Sequence, residues 1–460
     1  MTKILEKVFS VKNDCRGTHK IVNIAGVKVK VRKGGVKNFK ENLTYFIDKN
    51  NPLYKAQIKD GYLRLLLTHR CNAKCDFCPH WKWSEDKLKQ ELSHEFIFDQ
   101  CKPLYSKIKM LSLCGGEVTI YKHGIEFGEF INKNYPHITV VTESNGINWN
   151  EKWQKNAREG LWSVNFSVNG SNEEVYHKSC WREEDYHVPY QKTQENILNY
   201  IKSLKECGHG VFAPGVSMVV NKDSADDIYA FAKYALTIGA RRITYYFDNQ
   251  ESDLSSCRTT KNFKYPEKSL PALRTMMEIE RVLAKKICVY FRLWLPEEGI
   301  TEMQNEVDSI PIQQLREKYA ELLELAKDRD MLKEHNERNR IRRKQGKKEL
   351  TFDEDFNATL RLTQIGDKKV CFAPWRLIDI MANGKLSFCS WARGTTGLKY
   401  VYDKNGNIDW VSTLNTKPYI QYRKKHFNND FSGCQAICPM NSAVRPITPV
   451  HKYGFDREVE

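Results

Sequence analysis

The feature that most constrains this chain is a strand-then-helix rhythm repeated six times between residues 60 and 250. Short apolar runs predict strands at 62–68, 109–114, 138–142, 162–168, 215–220 and 242–247. Helical periodicity fills the gaps at 93–105, 123–134, 150–159, 189–206 and 225–237, with another helix at 269–285. Gly and Asn punctuate the junctions, as at Gly115-Gly116, Asn145-Gly146 and Asn169-Gly170. Strands separated by whole helices pair in parallel, with the helices outside. Six such units predict an α/β fold, a partial (β/α)6 TIM-like barrel over residues 61–300. In that architecture the chemistry sits at the C-terminal ends of the strands.

The flanks differ in character. Residues 1–60 form a basic N-terminal extension: the first forty carry eleven Lys and Arg against Glu6 and Asp14. Within it, IVNIAGVKVKVRKG alternates as a two-faced strand does. Residues 301–365 form a charged helical insertion or linker, whose charged stretch 311–350 ends in the basic run RNRIRRKQGKK and is expected to be a solvated helix. The last segment, 366–460, is rich in Gly, Cys and aromatics and is expected to be a small metal-stapled domain.

Composition narrows the function classes. The 41% hydrophobic content supports a packed core. No run of about 18 apolar residues marks a membrane span, and the N-terminus lacks a signal-peptide pattern. A cytoplasmic protein is expected, where 14 Cys argue for metal binding or chemistry rather than a disulfide scaffold. The net charge of +16 can attract an anionic partner, including a membrane surface touched peripherally by the N-terminus. No recognition-helix or zinc-finger pattern accompanies it, so nucleic acid is not expected as a partner.

The first cysteine cluster follows the first strand: Cys71, Cys75 and Cys78 in CNAKCDFCPHW. Three thiolates on a short loop can hold three irons of a [4Fe–4S] cubane and leave the fourth open. A zinc site using the same Cys plus His80 is the alternative. Here the sequence resembles the radical S-adenosylmethionine superfamily, whose hallmark is CxxxCxxC after the first strand of a partial barrel. An aromatic precedes the third Cys, here Phe77. The resemblance implies that S-adenosylmethionine chelates the open iron and is cleaved reductively to a 5′-deoxyadenosyl radical that abstracts a substrate hydrogen. It implies a reductant such as flavodoxin or ferredoxin.

Further motifs extend the resemblance over residues 60–250. Gly115, Gly116 and Glu117 stand where the family binds the methionine amino group, with Val118 in place of the usual Pro. Ser144, Asn145, Ser167, Asn169 and Asn221 resemble the polar strand ends that hold the cofactor's ribose and carboxylate. Ordinary Asn-Gly turn chemistry also explains Asn145 and Asn169. Cys371, Cys389, Cys434 and Cys438 resemble the ligands of a twitch domain, the shortened SPASM form, implying one auxiliary [4Fe–4S] cluster. Structural zinc is the alternative, and the stretch between Cys371 and Cys389 reads as a hairpin turning at Asn383-Gly384. Cys15, Cys101, Cys114, Cys180, Cys207, Cys257 and Cys288 have no matched spacing. Cys180, in the loop expected after the fourth strand, is the candidate hydrogen donor.

The expected reaction is a two-electron dehydrogenation of a sugar- or polyol-like substrate, a small molecule or glycan, the auxiliary cluster taking the electron. The cysteine layout resembles that of an aminocyclitol dehydrogenase, and the basic preface resembles short leaders on enzymes of surface-polysaccharide assembly. Epimerisation with a Cys donor, peptide crosslinking and a zinc-bearing binding module are the alternatives.

Overall fold

The computed structural model describes residues 9–13, 19–24, 27–32, 45, 47–75, 77–78, 83–180, 190–247, 265–292, 297–356, 362–371, 373–389 and 398–430. Its centre is a nine-stranded sheet. Seven strands follow one another in chain order: β4 (Gly61–Leu66), β5 (Ile108–Cys114), β6 (Thr139–Ser144), β7 (Ser163–Ser167), β8 (Gly215–Val220), β9 (Arg242–Phe247) and β10 (Cys288–Arg292). Every neighbouring pair is parallel. The six expected strands are all present, and β10 adds a seventh beyond the helix Pro266–Leu283. Before them, β1 (Phe9–Asn13), β2 (His19–Ile24) and β3 (Val27–Arg32) form a separate antiparallel sheet. The strand expected there is thus a hairpin.

Alternation along the strands explains why the sheet curls with one packed face. Leu63, Leu65, Leu111, Val164, Phe166, Val216, Met218, Ile243 and Tyr245 are all fully buried against the outer helices. Each such side chain contributes about 1.5–3 kcal/mol relative to exposure. Their neighbours Arg64, Ser112, Glu143, Ser167, Val219 and Tyr246 lie on the opposite, concave face and are half-buried or exposed. The resulting α/β architecture is the expected partial barrel, and no helix of the described residues is long and apolar enough to cross a membrane.

The C-terminal segment joins this sheet. β11 (Leu362–Ile365) and β12 (Lys368–Cys371) form a two-stranded ribbon. β13 (Leu377–Ile380) pairs in parallel with β4, and β14 (Leu386–Ser387) folds back on β13. The hairpin turn falls at Asn383-Gly384 as expected, with Gly384 at φ +73° and its N–H donating to the Met381 carbonyl at 2.8 Å. The boundary at residue 366 therefore falls between segments that share one sheet.

The charged segment is not the solvated face that its sequence suggests. Its helix Met331–Lys344 packs under the barrel, and Arg338 and Arg342 are 0% and 1% exposed. Asp355 receives Arg338 Nε at 2.7 Å, Arg342 Nη2 at 2.8 Å and His335 Nδ1 at 3.0 Å. Arg241, just before β9, adds an ion pair at 3.8 Å and donates to Ser163 Oγ at the start of β7. Burial alone would raise the Asp355 carboxyl; Arg338, His335, Arg342 and Arg241 together hold it well below the usual carboxylate range. This cluster closes the N-terminal end of the barrel.

Candidate active site

The loop carrying Cys71, Cys75 and Cys78 leaves β4 and is clamped by the end of β5. Leu67 N–H donates to the Cys114 carbonyl, Gly116 N–H to Thr68 and Glu117 N–H to Arg70, each at 2.8 Å. This close approach is what the two glycines allow. A Cβ on Gly115 would stand 2.6 Å from the Thr68 carbonyl oxygen, and one on Gly116 would meet the carbonyls of His69 (2.7 Å) and Arg70. Neither glycine has a positive φ. Backbone proximity, not turn geometry, requires them.

Glu117 is 2% exposed. Its carboxylate accepts from Thr119 N–H (3.0 Å), Thr119 Oγ1 (2.7 Å), Ser144 Oγ (2.8 Å) and Asn145 N–H (2.7 Å). Burial pushes its pKa up, and these four bonds hold it down in part. Glu117 thus pins the end of β6 to the end of β5. Asn145 then reaches the cysteine loop, its Nδ2 donating to Asn72 Oδ1 at 2.7 Å and facing Cys71 Sγ at 4.0 Å. Ser144 Oγ also receives Gly146 N–H at 3.0 Å. Gly116, Glu117, Ser144, Asn145 and the cysteine loop therefore form one hydrogen-bonded unit, with Asn72 a member that sequence reasoning missed.

The thiols are gathered. The Cys71 thiol is pushed up by burial, then by Glu117 and Cys75, with Cys78 close enough to add to the effect. Cys78 N–H donates to the Cys75 carbonyl at 2.9 Å, and Phe77 lies in that turn. Among the described residues no three His, Cys, Asp or Glu side chains are grouped to hold a single ion. A cubane gives each thiolate its own iron, and an amide facing a sulfur is a familiar neighbour of such clusters. Three cysteines on one loop, with the Asn145 amide beside Cys71 Sγ, are the donor set that a cubane would take. His80 lies outside the described residues.

Cys180 follows the fourth strand, near the cysteine loop, as expected, but in a helix rather than a loop. It is the last residue of the helix Glu173–Cys180, not part of a loop, and is 1% exposed. A hydrogen bond to Cys180, then burial, pushes the Cys75 thiol far up. Cys180 therefore packs against a cysteine of the loop.

The remaining strand-end residues bind backbone groups of β7, β8 and the turn after β8. Asn169, at φ +59°, accepts Val219 N–H at 2.9 Å and ties β7 to β8. Ser167 lends its carbonyl to Asn169 Nδ2 at 3.3 Å. Asn221 Oδ1 accepts Asp223 and Ser224 N–H at 2.9 and 3.0 Å, a local turn. Asn169 and Asn221 are 3% and 5% exposed, as deeply buried as Glu117. On the concave face, Arg64 binds Asp379 of β13 at 2.9 and 3.1 Å, and Tyr246 donates to Glu143 at 3.2 Å. Sequence reasoning passed over these four. Polar residues alternating within apolar strands were the available signal.

In the C-terminal segment, Cys371 ends β12, Cys389 follows β14, and both are buried. Cys434 and Cys438 lie outside the described residues.

Residues 65–235 match the family model of the Radical SAM superfamily. A tungsten-containing aldehyde ferredoxin oxidoreductase cofactor-modifying protein of Pyrococcus furiosus is 26% identical over 184 residues, 39% of this chain and 49% of that protein. The chain thus spans about half of that relative's length. GTP 3′,8-cyclase of Campylobacter lari is 24% identical over 233 residues, 48% of this chain and 69% of the cyclase. The crystal structure of Streptococcus suis SuiB matches at a TM-score of 0.47 with 12% identity, over 84% of this chain and 72% of that one.

Proposed function

Residues 65–235 form a domain of the radical S-adenosylmethionine superfamily, and from that premise we propose that the chain oxidises a sugar- or polyol-like small molecule by hydrogen-atom abstraction. The observation that carries the reading is the single unit built by the cysteine loop, the glycine pair, Glu117 and Asn145. S-adenosylmethionine and a [4Fe–4S] cluster on Cys71, Cys75 and Cys78, when bound, supply a 5′-deoxyadenosyl radical that takes a hydrogen atom from a substrate carbon.

The chain's own residues do the positioning. Gly115 and Gly116 hold the loop against β5, Glu117 fixes Ser144 and the Asn145 backbone, and Asn145 presents its amide to Cys71. The half-open polar face bearing Arg64, Ser112, Glu143, Ser167 and Tyr246 is where we place the substrate. Hydroxyl-rich molecules suit a face of this kind, because its donors and acceptors replace the hydration that the substrate gives up. A groove of about 690 Å³ between the helices Glu151–Glu159 and Tyr190–Glu206 competes poorly, since Asn196 on its floor is already bound to the Gly146 and Ile147 carbonyls.

We further propose that Cys371, Cys389, Cys434 and Cys438 would hold an auxiliary [4Fe–4S] cluster able to take the second electron, the substrate hydroxyl proton leaving to solvent, with flavodoxin or ferredoxin as reductant of the first cluster. Burial of Cys371 and Cys389, in a segment whose β13 pairs with β4, supports this reading.

Anaerobic reconstitution tests it. Brown protein with about eight irons per chain, from two cubanes, and reductive release of 5′-deoxyadenosine are expected. Cys71→Ala abolishes that release. Cys389→Ala lowers iron toward half and stops product formation while some release continues. Colourless, zinc-filled protein that leaves S-adenosylmethionine intact contradicts the proposal.

A further inference from the structure

The concave face contains one acid poised for a ligand. Glu143 lies in β6, an interior strand of the sheet, between Thr142 (1% exposed) and Ser144 (3%), yet is itself exposed. A side chain in an interior strand meets water only where the face it lies on is open. That opening is the barrel interior. The Tyr246 hydroxyl of β9 donates to Glu143 Oε1 at 3.2 Å although β7 and β8 separate the two strands. On a flat sheet, three strand spacings of about 4.8 Å would keep them apart. They meet across the hollow.

The neighbouring charges are committed. Arg64 is engaged by the fully buried Asp379 at 2.9 and 3.1 Å. Arg242 reaches Asn165 Oδ1 at 3.2 Å. Among the described residues Tyr246 is the one hydrogen-bond partner of Glu143, and no Lys or Arg pairs with it. A carboxylate has capacity for about four hydrogen bonds. The second oxygen of Glu143 thus faces the hollow with its accepting capacity unspent.

We infer that Glu143, aligned by Tyr246, is the specificity-determining acceptor for a hydroxyl or ammonium group of the substrate, and that it excludes anionic sugars. The inference rests on the proposed placement of substrate on the concave face. A carboxylate in a hollow rewards donors and repels a second carboxylate, so it selects by charge as well as by shape. Tyr246 is a positioning residue that holds one Glu143 oxygen.

The test uses the full-length, reconstituted protein with S-adenosylmethionine present, and calorimetry with three probes: inositol, glucosamine and glucuronate. Native protein is expected to bind glucosamine and inositol at least tenfold more tightly than glucuronate. Glu143→Gln is expected to erase most of that discrimination, chiefly by weakening glucosamine. Tyr246→Phe is expected to weaken inositol and glucosamine about threefold and keep their order. An unchanged ranking in Glu143→Gln overturns the inference, and so does native protein that binds none of the three. Failure of the radical reading would show separately, as absence of 5′-deoxyadenosine from reduced native protein whatever the probes do.

Discussion

The two ends of the barrel use buried carboxylates in opposite ways. At the N-terminal end, Asp355 is ringed by Arg241, Arg338 and Arg342, and its pKa is held far down. At the C-terminal end, Glu117 is as deeply buried but meets only neutral donors, and its pKa is pushed up. One carboxylate neutralises cations and seals a plug. The other organises backbone and hydroxyl groups beside thiols. Burial of an acid is thus no guide to its task; the charge of its neighbours is.

The largest effect that separates the two ends is expected from Asp355→Ala. It leaves three buried guanidinium groups without their shared anion, and should lower unfolding free energy by about 3–5 kcal/mol in urea denaturation. A loss under about 1 kcal/mol would mean that water reaches the cluster. The same carboxylate sets an acid limit. Its folded pKa lies below the ordinary 3.8, so its contribution is present above that value and is lost as pH falls through and below it. Native protein should therefore lose stability steeply below about pH 4, and Asp355→Ala should lose less over the same range.

Why one end was legible and the other was not follows from the same residues. The strands showed as apolar runs, and the cysteine loop with its GGE partner showed by spacing. The plug did not show. Arg338 and Arg342 stand one helical turn apart among other charges, as surface residues do, and only Asp355 thirteen or more positions on makes them buriable. β13 was equally hidden, because its pairing with β4 joins residues some 315 positions apart and has no local signal. Cys180 was placed near the site but read as loop, because the helix Glu173–Cys180 begins directly after SVNGSN, a stretch that reads as loop. Asn72 and Glu143 lie inside stretches that did show, beside Cys71 and Ser144, but no spacing singles them out. Their partners Asn145 and Tyr246 come from other strands.

The next effect in size belongs to the C-terminal end alone. Gly116→Ala drives a methyl into the His69 and Arg70 carbonyls and pushes the cysteine loop off β5. Iron bound after reconstitution should fall at least severalfold while circular dichroism and urea stability change little, the reverse of the Asp355 signature. Equal damage to both readouts would show that the loop and the core are one cooperative unit.

The smallest expected effect is that of Asn145→Ala, which removes the amide from Asn72 and Cys71 but keeps the backbone N–H on Glu117. A loss of about 1 kcal/mol, roughly fivefold in affinity for S-adenosylmethionine, is expected by equilibrium dialysis. Full retention of affinity would leave the Glu117 bonds as the sole link between β6 and the loop.

The central claim is that Cys71, Cys75 and Cys78 leave one iron of a cubane open to S-adenosylmethionine. Electron paramagnetic resonance of the dithionite-reduced protein tests it most directly. The account predicts a [4Fe–4S] component that shifts when S-adenosylmethionine is added and vanishes in Cys75→Ala, beside the unresponsive signal of the auxiliary cluster. Absence of any S-adenosylmethionine-responsive component, or its survival unchanged after loss of Cys75, would contradict it.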